Sequence, residues 1–293
     1  MQKQINMTAV TILALMTGLF TSTAAVASAE GTNDTSGFLS QWLAVSDRAK
    51  EEQPHWVTPM VTTTPRLEQE YRYDQVWQNR PNSVDVQNYG FNKGLELIPS
   101  ENTEVVFGVP AYQVQKSPTA TTDGFTDASL LLKYRFLSAN EEKGNYIVTG
   151  FIGTTLPTGG SAFTYGRAIP TVTIAGGKGW GTRDYGFDIQ STLGAALADD
   201  VNRKTGQPVT WNTAFQAHVF EKMWPEIETT YTHFTDGPWT GKDQAVVTYG
   251  LNLGRFQVTD RARFVLGVGY QQTVSSFHAN IDSGWILAGR ISF

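Results

Sequence analysis

The chain has 293 residues, a formal net charge of −5, 28 glycines and no cysteine. Lack of cysteine excludes disulfides, thiolate metal sites and cysteine nucleophiles, and an acidic balance lacks the basic stripe that a nucleic-acid partner requires. An aromatic content of 12% with a slightly polar mean hydropathy suits a sheet whose two faces meet different solvents.

Lys3 and the amino terminus precede an uncharged, mostly apolar run from Met7 to Phe20, and small residues follow it to Ala27-Ser28-Ala29. That order predicts a cleaved signal peptide over residues 1–29, with Glu30 the first mature residue. The run is too short to anchor the chain, and no other stretch is long and apolar enough for a transmembrane helix. In the next segment, 30–66, Phe38, Leu39, Trp42, Leu43 and Ser46 stand at helical spacing ahead of DRAKEE (47–52). They predict a short amphipathic helix over 37–51, on the periplasmic side. Pro54, Pro59 and Pro65 then break regular structure. Three placements are open to this segment: along the periplasmic face, inside a barrel as a plug, or loose.

From Leu67 onward apolar residues recur at every second position. In SLLLKYRF, Leu130, Leu132, Tyr134 and Phe136 alternate with Leu131, Lys133 and Arg135; RFVLGVGYQQ and TYGLNLGRF alternate the same way. Twelve such segments are predicted, at 67–78, 84–98, 103–115, 125–138, 144–157, 168–179, 184–197, 207–221, 224–235, 243–257, 261–273 and 283–293. Each is long enough to cross a bilayer as a tilted strand. Their connections alternate between short (PSEN, 99–102; GTRD, 181–184) and long (QKSPTATTDGFT, 115–126; PTGGSAFTYGRA, 157–168). Aromatics collect at both ends: Phe136, Tyr146, Trp180, Tyr185, Trp224, Phe256, Phe264 and Phe293 beside the short turns; Tyr73, Trp77, Tyr89, Tyr112, Trp211, Tyr270 and Trp285 opposite. Even strand number, unequal loops and two girdles predict an all-β fold: a transmembrane antiparallel up-and-down barrel over 67–293, in a Gram-negative outer membrane. A soluble sandwich or lipocalin-like barrel would also alternate, but with its apolar face inward.

The stretches QPHWVTPMVTTTPRLEQEYRYD (53–74), GFTDASLLLKYRFLSANEEKGNYIVTGFIGTTLPTG (124–159) and the terminal GRISF resemble the meta-pathway phenol-degradation (MetA-type) family of bacterial outer-membrane proteins. The resemblance implies an outer-membrane channel, linked to uptake of aromatic or other hydrophobic compounds. It carries over no catalytic residue.

Strand parity assigns an inward set: Glu68, Glu70, Arg72, Asp74, Glu96, Lys133, Arg135, Asp188, His218, Glu226, Glu228 and Arg290, with Asn92, Gln190, Asn212, Gln216 and Gln271. These are the candidate lumen-lining residues, since a charge facing lipid costs about 2–4 kcal/mol at the midplane. They either filter permeants or form a ladder of ion pairs with Lys133, Arg135 or Arg290; the ladder is favoured, because a narrow lumen fills with side chains. Lys93 falls on the outward parity, a conflict that snorkelling or a bulge resolves.

Other chemistry is poorly supported. A lipid hydrolase would need a Ser–His pair; His278 near Ser275 and Ser276, and His233 near Thr235, are the only neighbours, all toward a predicted outer loop. GGKGWG (176–181) lacks the spacing of a phosphate loop and reads as glycines that let a strand bend or pack closely. Asp199, Asp200, Asp236 and Asp243 lack a calcium-loop spacing. No enzyme activity, cofactor or metal is expected. The function expected is a passive small-molecule channel; the alternative is a non-transporting structural or surface-binding barrel. Its partners would be outer-membrane lipid, an unidentified small permeant and the barrel-assembly machinery, for which Ile291 and Phe293 on the alternating last strand form a terminal aromatic signal.

Overall fold

The computed structural model describes residues 35–197 and 206–293; the predicted signal peptide and the acids Asp199 and Asp200 lie outside the described residues. The chain divides into two compact units, 1–41 and 42–293. Helix α1, Thr35–Glu51, begins in the first and ends in the second, with Arg48 and Lys50 in its last turn, where cations complement the helix dipole.

The second unit is a closed barrel of twelve antiparallel strands among the described residues. They are β1 (Glu70–Arg80), β2 (Val84–Gly90 and Gly94–Ser100), β3 (Thr103–Gly108 and Tyr112–Lys116), β4 (Thr121–Phe125 and Ala128–Ala139), β5 (Tyr146–Leu156), β6 (Ile169–Gly181), β7 (Tyr185–Ala196), β8 (Gln207–Val219), β9 (Met223–Asp236), β10 (Asp243–Gln257), β11 (Arg263–Thr273) and β12 (Ser283–Ser292). Each pairs with the next in sequence, and β12 returns to β1 from Glu70↔Ser292 to Asn79↔Ser283. Closure leaves no open edge between the first and last strands, which hydrocarbon would not tolerate.

The alternation decides which way each strand faces. Leu130, Leu132, Tyr134 and Phe136 are exposed outside, while Lys133 and Arg135 between them are buried. On β12, Trp285 and Leu287 are exposed, while Ile286, Ala288 and Arg290 are buried. Aromatic pairs stiffen both rims, with Trp180 stacked on Phe187 at 4.6 Å near the short turns and Tyr270 against Trp285 at 5.0 Å near the long loops.

Four expectations need correcting. Residues 67–69 are not strand: β1 starts at Glu70, so Glu68 belongs to the preceding segment. Trp224 is not a girdle residue. It shares inward parity with Glu226 and Glu228, is buried, and packs on Val57 and Val265 with the Arg255 guanidinium over its ring. The predicted long loop 115–126 is instead sheet. Thr121–Phe125 pairs with Tyr112–Lys116, and the turn between them is closed by Ser117 N–H donating to the Ala120 carbonyl. Lys93 is not outward. Strand β2 breaks at 91–93, where Gly90, Phe91 and Asn92 all have positive φ. A left-handed run of this kind resets side-chain parity, and Lys93 lines an interior cavity.

Candidate functional site: the lumen and the segment inside it

Of the three placements open to the N-terminal segment, the plug is the one adopted. Residues 53–69 enter the barrel from the short-turn end, turn back, and run directly into β1. The neck is zipped by one side chain: the Gln53 amide donates to the Leu67 carbonyl at 2.7 Å and accepts from Leu67 N–H at 2.9 Å. The end of α1 is tied to the same rim. Trp42 Nε1 donates to the Ile98 carbonyl, Lys50 Nζ to that of Phe293, and Arg135 to those of Ala49 and Glu101. His55 is held by Glu141, which accepts its backbone N–H at 2.6 Å and meets its ring Nδ1 at 2.8 Å. Burial raises the Glu141 carboxyl, but the hydrogen bonds from His55 outweigh this and bring it down to about 2.

Deeper in, the wall grips main chain. Proline at 54, 59 and 65 keeps the segment out of helix and strand, so its peptide groups need partners from elsewhere. Glu228 Oε1 accepts from Val61 N–H at 2.8 Å and Oε2 from Thr62 N–H at 2.6 Å, while Glu226 accepts from Met60 N–H at 3.1 Å. From β12 and β1, Arg290 donates to the carbonyls of Thr58 and Pro59, and Arg72 to those of Pro59 and Met60. Arg255 and Arg66 donate to the Trp56 carbonyl. Gln190 bridges the two legs, donating to the Val57 carbonyl at 3.1 Å and accepting from Thr64 Oγ1 at 2.7 Å. The returning leg gives its Pro65 carbonyl to Thr149, its Arg66 carbonyl to Lys133 and its Glu68 N–H to Glu104.

Two apolar side chains lock the segment into recesses that only glycine leaves open. A Cβ on Gly177 or Gly179 would come within 2.5–2.6 Å of the Trp56 ring, and one on Gly250 or Gly269 within 2.8 Å of Met60 Sδ. Met60 is fully buried with Val76, Ile286 and Ala288. The glycine-rich stretch 176–181 is thus a seat for Trp56.

All the predicted lumen residues lie inside. Glu70, Arg72, Asp74, Glu96, Lys133, Arg135, Asp188, His218, Glu226, Glu228 and Arg290 are buried on inward positions, and Glu68 is buried beside them in the segment. The expected ladder forms in part. Lys133 pairs with Glu104 at 2.8 Å and Glu96 at 3.9 Å, Arg72 with Asp74 at 2.7 Å, and Arg66 with Glu68 at 2.9 Å. Arg290 instead serves the segment. Sequence reasoning missed Glu104 and Arg66, which carry half of these pairs. Glu104 sits on inward parity and could have been found; Arg66 precedes the first strand and no periodicity reaches it.

Between this segment and the long loops lie two cavities. One of about 250 Å³ is lined by Thr58, Thr64, Arg72, Lys93, Glu96 and Lys133 among others. The other, about 290 Å³, is lined by Phe151, Thr173, Thr192, Ala196, Pro208 and Thr210 among others. Both include Thr63, Leu131 and Thr171, so they adjoin with the segment's turn as floor.

The candidate hydrolytic groups are otherwise engaged. His278 Nδ1 meets Asp282 at 2.5 Å and His233 Nδ1 meets Asp243 at 2.7 Å, while Ser275 Oγ donates to the Phe277 carbonyl. Asp236 accepts from Gly237 N–H and Asp243 from Tyr231. The chain terminus is held as well: Phe293 N–H donates to the Gln69 carbonyl at 3.0 Å, and Ile291 pairs with Tyr71 and Phe264.

No protein-family model matches the chain, and no curated protein matches it. Solved structures resemble it at low identity. The NanC porin is 9% identical, with 76% of this chain and 98% of that one covered and a TM-score of 0.44. An outer membrane channel from Pseudomonas putida F1 is 12% identical over 81% of this chain and 100% of its own, TM-score 0.48. The KdgM porin is 10% identical over 76% and 99%, TM-score 0.41. The barrel assignment itself rests on the strand pairing.

Proposed function

We propose that the protein is an outer-membrane channel for small molecules, held closed by its own N-terminal segment. The observation that carries this reading is how the lumen is filled. A barrel built only as an anchor can close with side chains from its own wall. Here the wall presents charged groups to a separate stretch of main chain, and holds that stretch by reversible hydrogen bonds and ion pairs. Cavities on the long-loop side lead to it. Aromatic or other hydrophobic permeants follow from the resemblance of 53–74 and 124–159 to the MetA-type family.

Planar-bilayer conductance tests this directly. Replacing residues 53–66 with a Gly/Ser linker of equal length leaves the strands intact and should turn a closed protein into a steadily conducting one. A folded, heat-modifiable variant that stays silent would overturn the channel reading. It would favour the second one, a non-transporting barrel, which the completeness of the filling supports. Export through a cleaved signal peptide predicts a mature terminus at Glu30. Deleting Phe293 should lower the amount of folded barrel in the outer membrane, and unchanged levels would remove its role as an assembly signal.

A further inference from the structure

The two cavities above the segment differ in kind. The first carries three cations, Arg72, Lys93 and Lys133, against a single carboxylate, Glu96. Two of the cations are committed: Arg72 to Asp74 and to segment carbonyls, Lys133 to Glu104, Glu96 and the Arg66 carbonyl. Lys93 is not. It shares the cavity wall with Arg72 and Glu96 and feels the charges of Asp74 and Arg290 beyond them, yet among the described residues its ammonium has no hydrogen-bond or ion-pair partner. It lies over the Phe91 ring, 6.0 Å from the centroid. A half-buried ammonium with no fixed partner, facing a cavity, is a site for an anion. Ser129 and Thr155 line the same cavity and add hydroxyl donors, whereas the Thr154 hydroxyl already donates to the Thr155 carbonyl.

The second cavity carries no charged side chain. Leu131, Phe151, Ala196 and Pro208 give it apolar surface, and threonine hydroxyls fill the gaps between them. The shared residues Thr63, Leu131 and Thr171 join the charged chamber to the neutral one. Together they suit a molecule with a charged head and a compact apolar body.

We propose that these chambers form one binding site for a small amphipathic organic anion, its carboxylate at Lys93 and its apolar or aromatic body against Leu131, Phe151 and Pro208. The proposal deepens the channel reading and rests on it for the ligand's identity as a permeant. Amines are disfavoured because Lys93 repels them and Glu96 already faces Lys133. A neutral alcohol of the same shape gains nothing from Lys93.

Calorimetric titration of the closed, detergent-solubilised mature chain tests this with 4-fluorobenzoate, 4-fluorobenzyl alcohol and 4-fluorobenzylamine. Saturable binding of the benzoate is expected, with the alcohol at least about tenfold weaker and the amine weaker still. Lys93→Gln should weaken benzoate binding at least about tenfold and Lys93→Arg should retain it. Thr173→Trp, which fills the neutral chamber, should abolish it with Lys93 intact. Each variant is checked for heat-modifiable folding. Equal binding of benzoate and alcohol, an unchanged Lys93→Gln, or no saturable binding would overturn the site. Because the titration needs no flux, it separates from the conductance test: binding without conductance keeps the site and removes the channel, and conductance without binding does the reverse.

Discussion

Two walls of the lumen meet the same stretch of main chain, residues 58–62, with opposite chemistry. Strand β9 offers carboxylates to its N–H groups, through Glu226 and Glu228. Strands β1 and β12 offer guanidinium groups to its carbonyls, through Arg72 and Arg290. The walls also share an internal asymmetry. Glu226 keeps partners of its own in Gln216 and Asn252, and Arg72 keeps Asp74. Among the described residues, the side chains of Glu228 and Arg290 hydrogen-bond to the segment alone. In each wall, then, one charge remains satisfied if the segment leaves and one is stranded in the interior. Stranding a buried charge is costly, so Glu228 and Arg290 bias the segment inward, while Glu226 and Arg72 keep the emptied wall from being worse.

That asymmetry can be broken one residue at a time. Trypsin cleavage after Arg66, buried in the segment, reports how often the segment is out. Arg290→Met should have the largest effect, removing hydrogen bonds to two carbonyls. A loss of about 3 kcal/mol corresponds to cleavage more than about a hundredfold faster. Glu228→Gln should follow at about 2 kcal/mol, and Glu226→Gln should cost about half as much. Equal effects of the two glutamates would dissolve the distinction between stranded and supported charges. Gly177→Ala comes next. Its Cβ would stand 2.5 Å from the Trp56 ring, so about 1–3 kcal/mol of overpacking is expected, with a shift in tryptophan emission. Gly176→Ala, whose Cβ would meet only the Ile147 carbonyl at 3.4 Å, should leave cleavage and emission near wild type. The smallest effect is that of pH. Glu141 is lowered to about 2 from an ordinary 4.5 by its bonds to His55, so its support is complete above about pH 4.5 and is lost as pH falls toward 2. Trypsin is inactive in that window, so tryptophan emission is the readout: it should shift as pH falls, and Glu141→Gln should flatten the shift.

The outer half of this molecule was far more legible than the inner half. Period-two patterning placed β10 at 243–257, where it is found, and separated Lys133 and Arg135 from Leu132 and Tyr134, because lipid penalises any other facing. Parity also found Arg72, Lys133, Glu226, Glu228 and Arg290, which touch the segment, but missed Glu104, Glu141 and Arg255, which touch it too. It could not say what those charges touch. Residues 53–69 have no period, since their peptide groups are satisfied by Glu228, Arg290 and Gln190 rather than by a ladder. One trace was present: glycines at 177, 179, 250 and 269, all inward, mark the recesses for Trp56 and Met60. The break at 91–93 showed in the sequence as the misfit of Lys93, because only Gly90 of the three left-handed residues is a glycine.

The Gln53–Leu67 amide pair, finally, has a topological consequence. It shows that both legs of the inserted segment pass through one mouth. A chain threaded from end to end can leave a tube only by drawing a terminus along its whole length. A doubled chain slips back like a folded cord, with neither terminus passing through. Withdrawal therefore asks nothing of the seam between β1 and β12, and unplugging and unfolding are separate events with separate barriers.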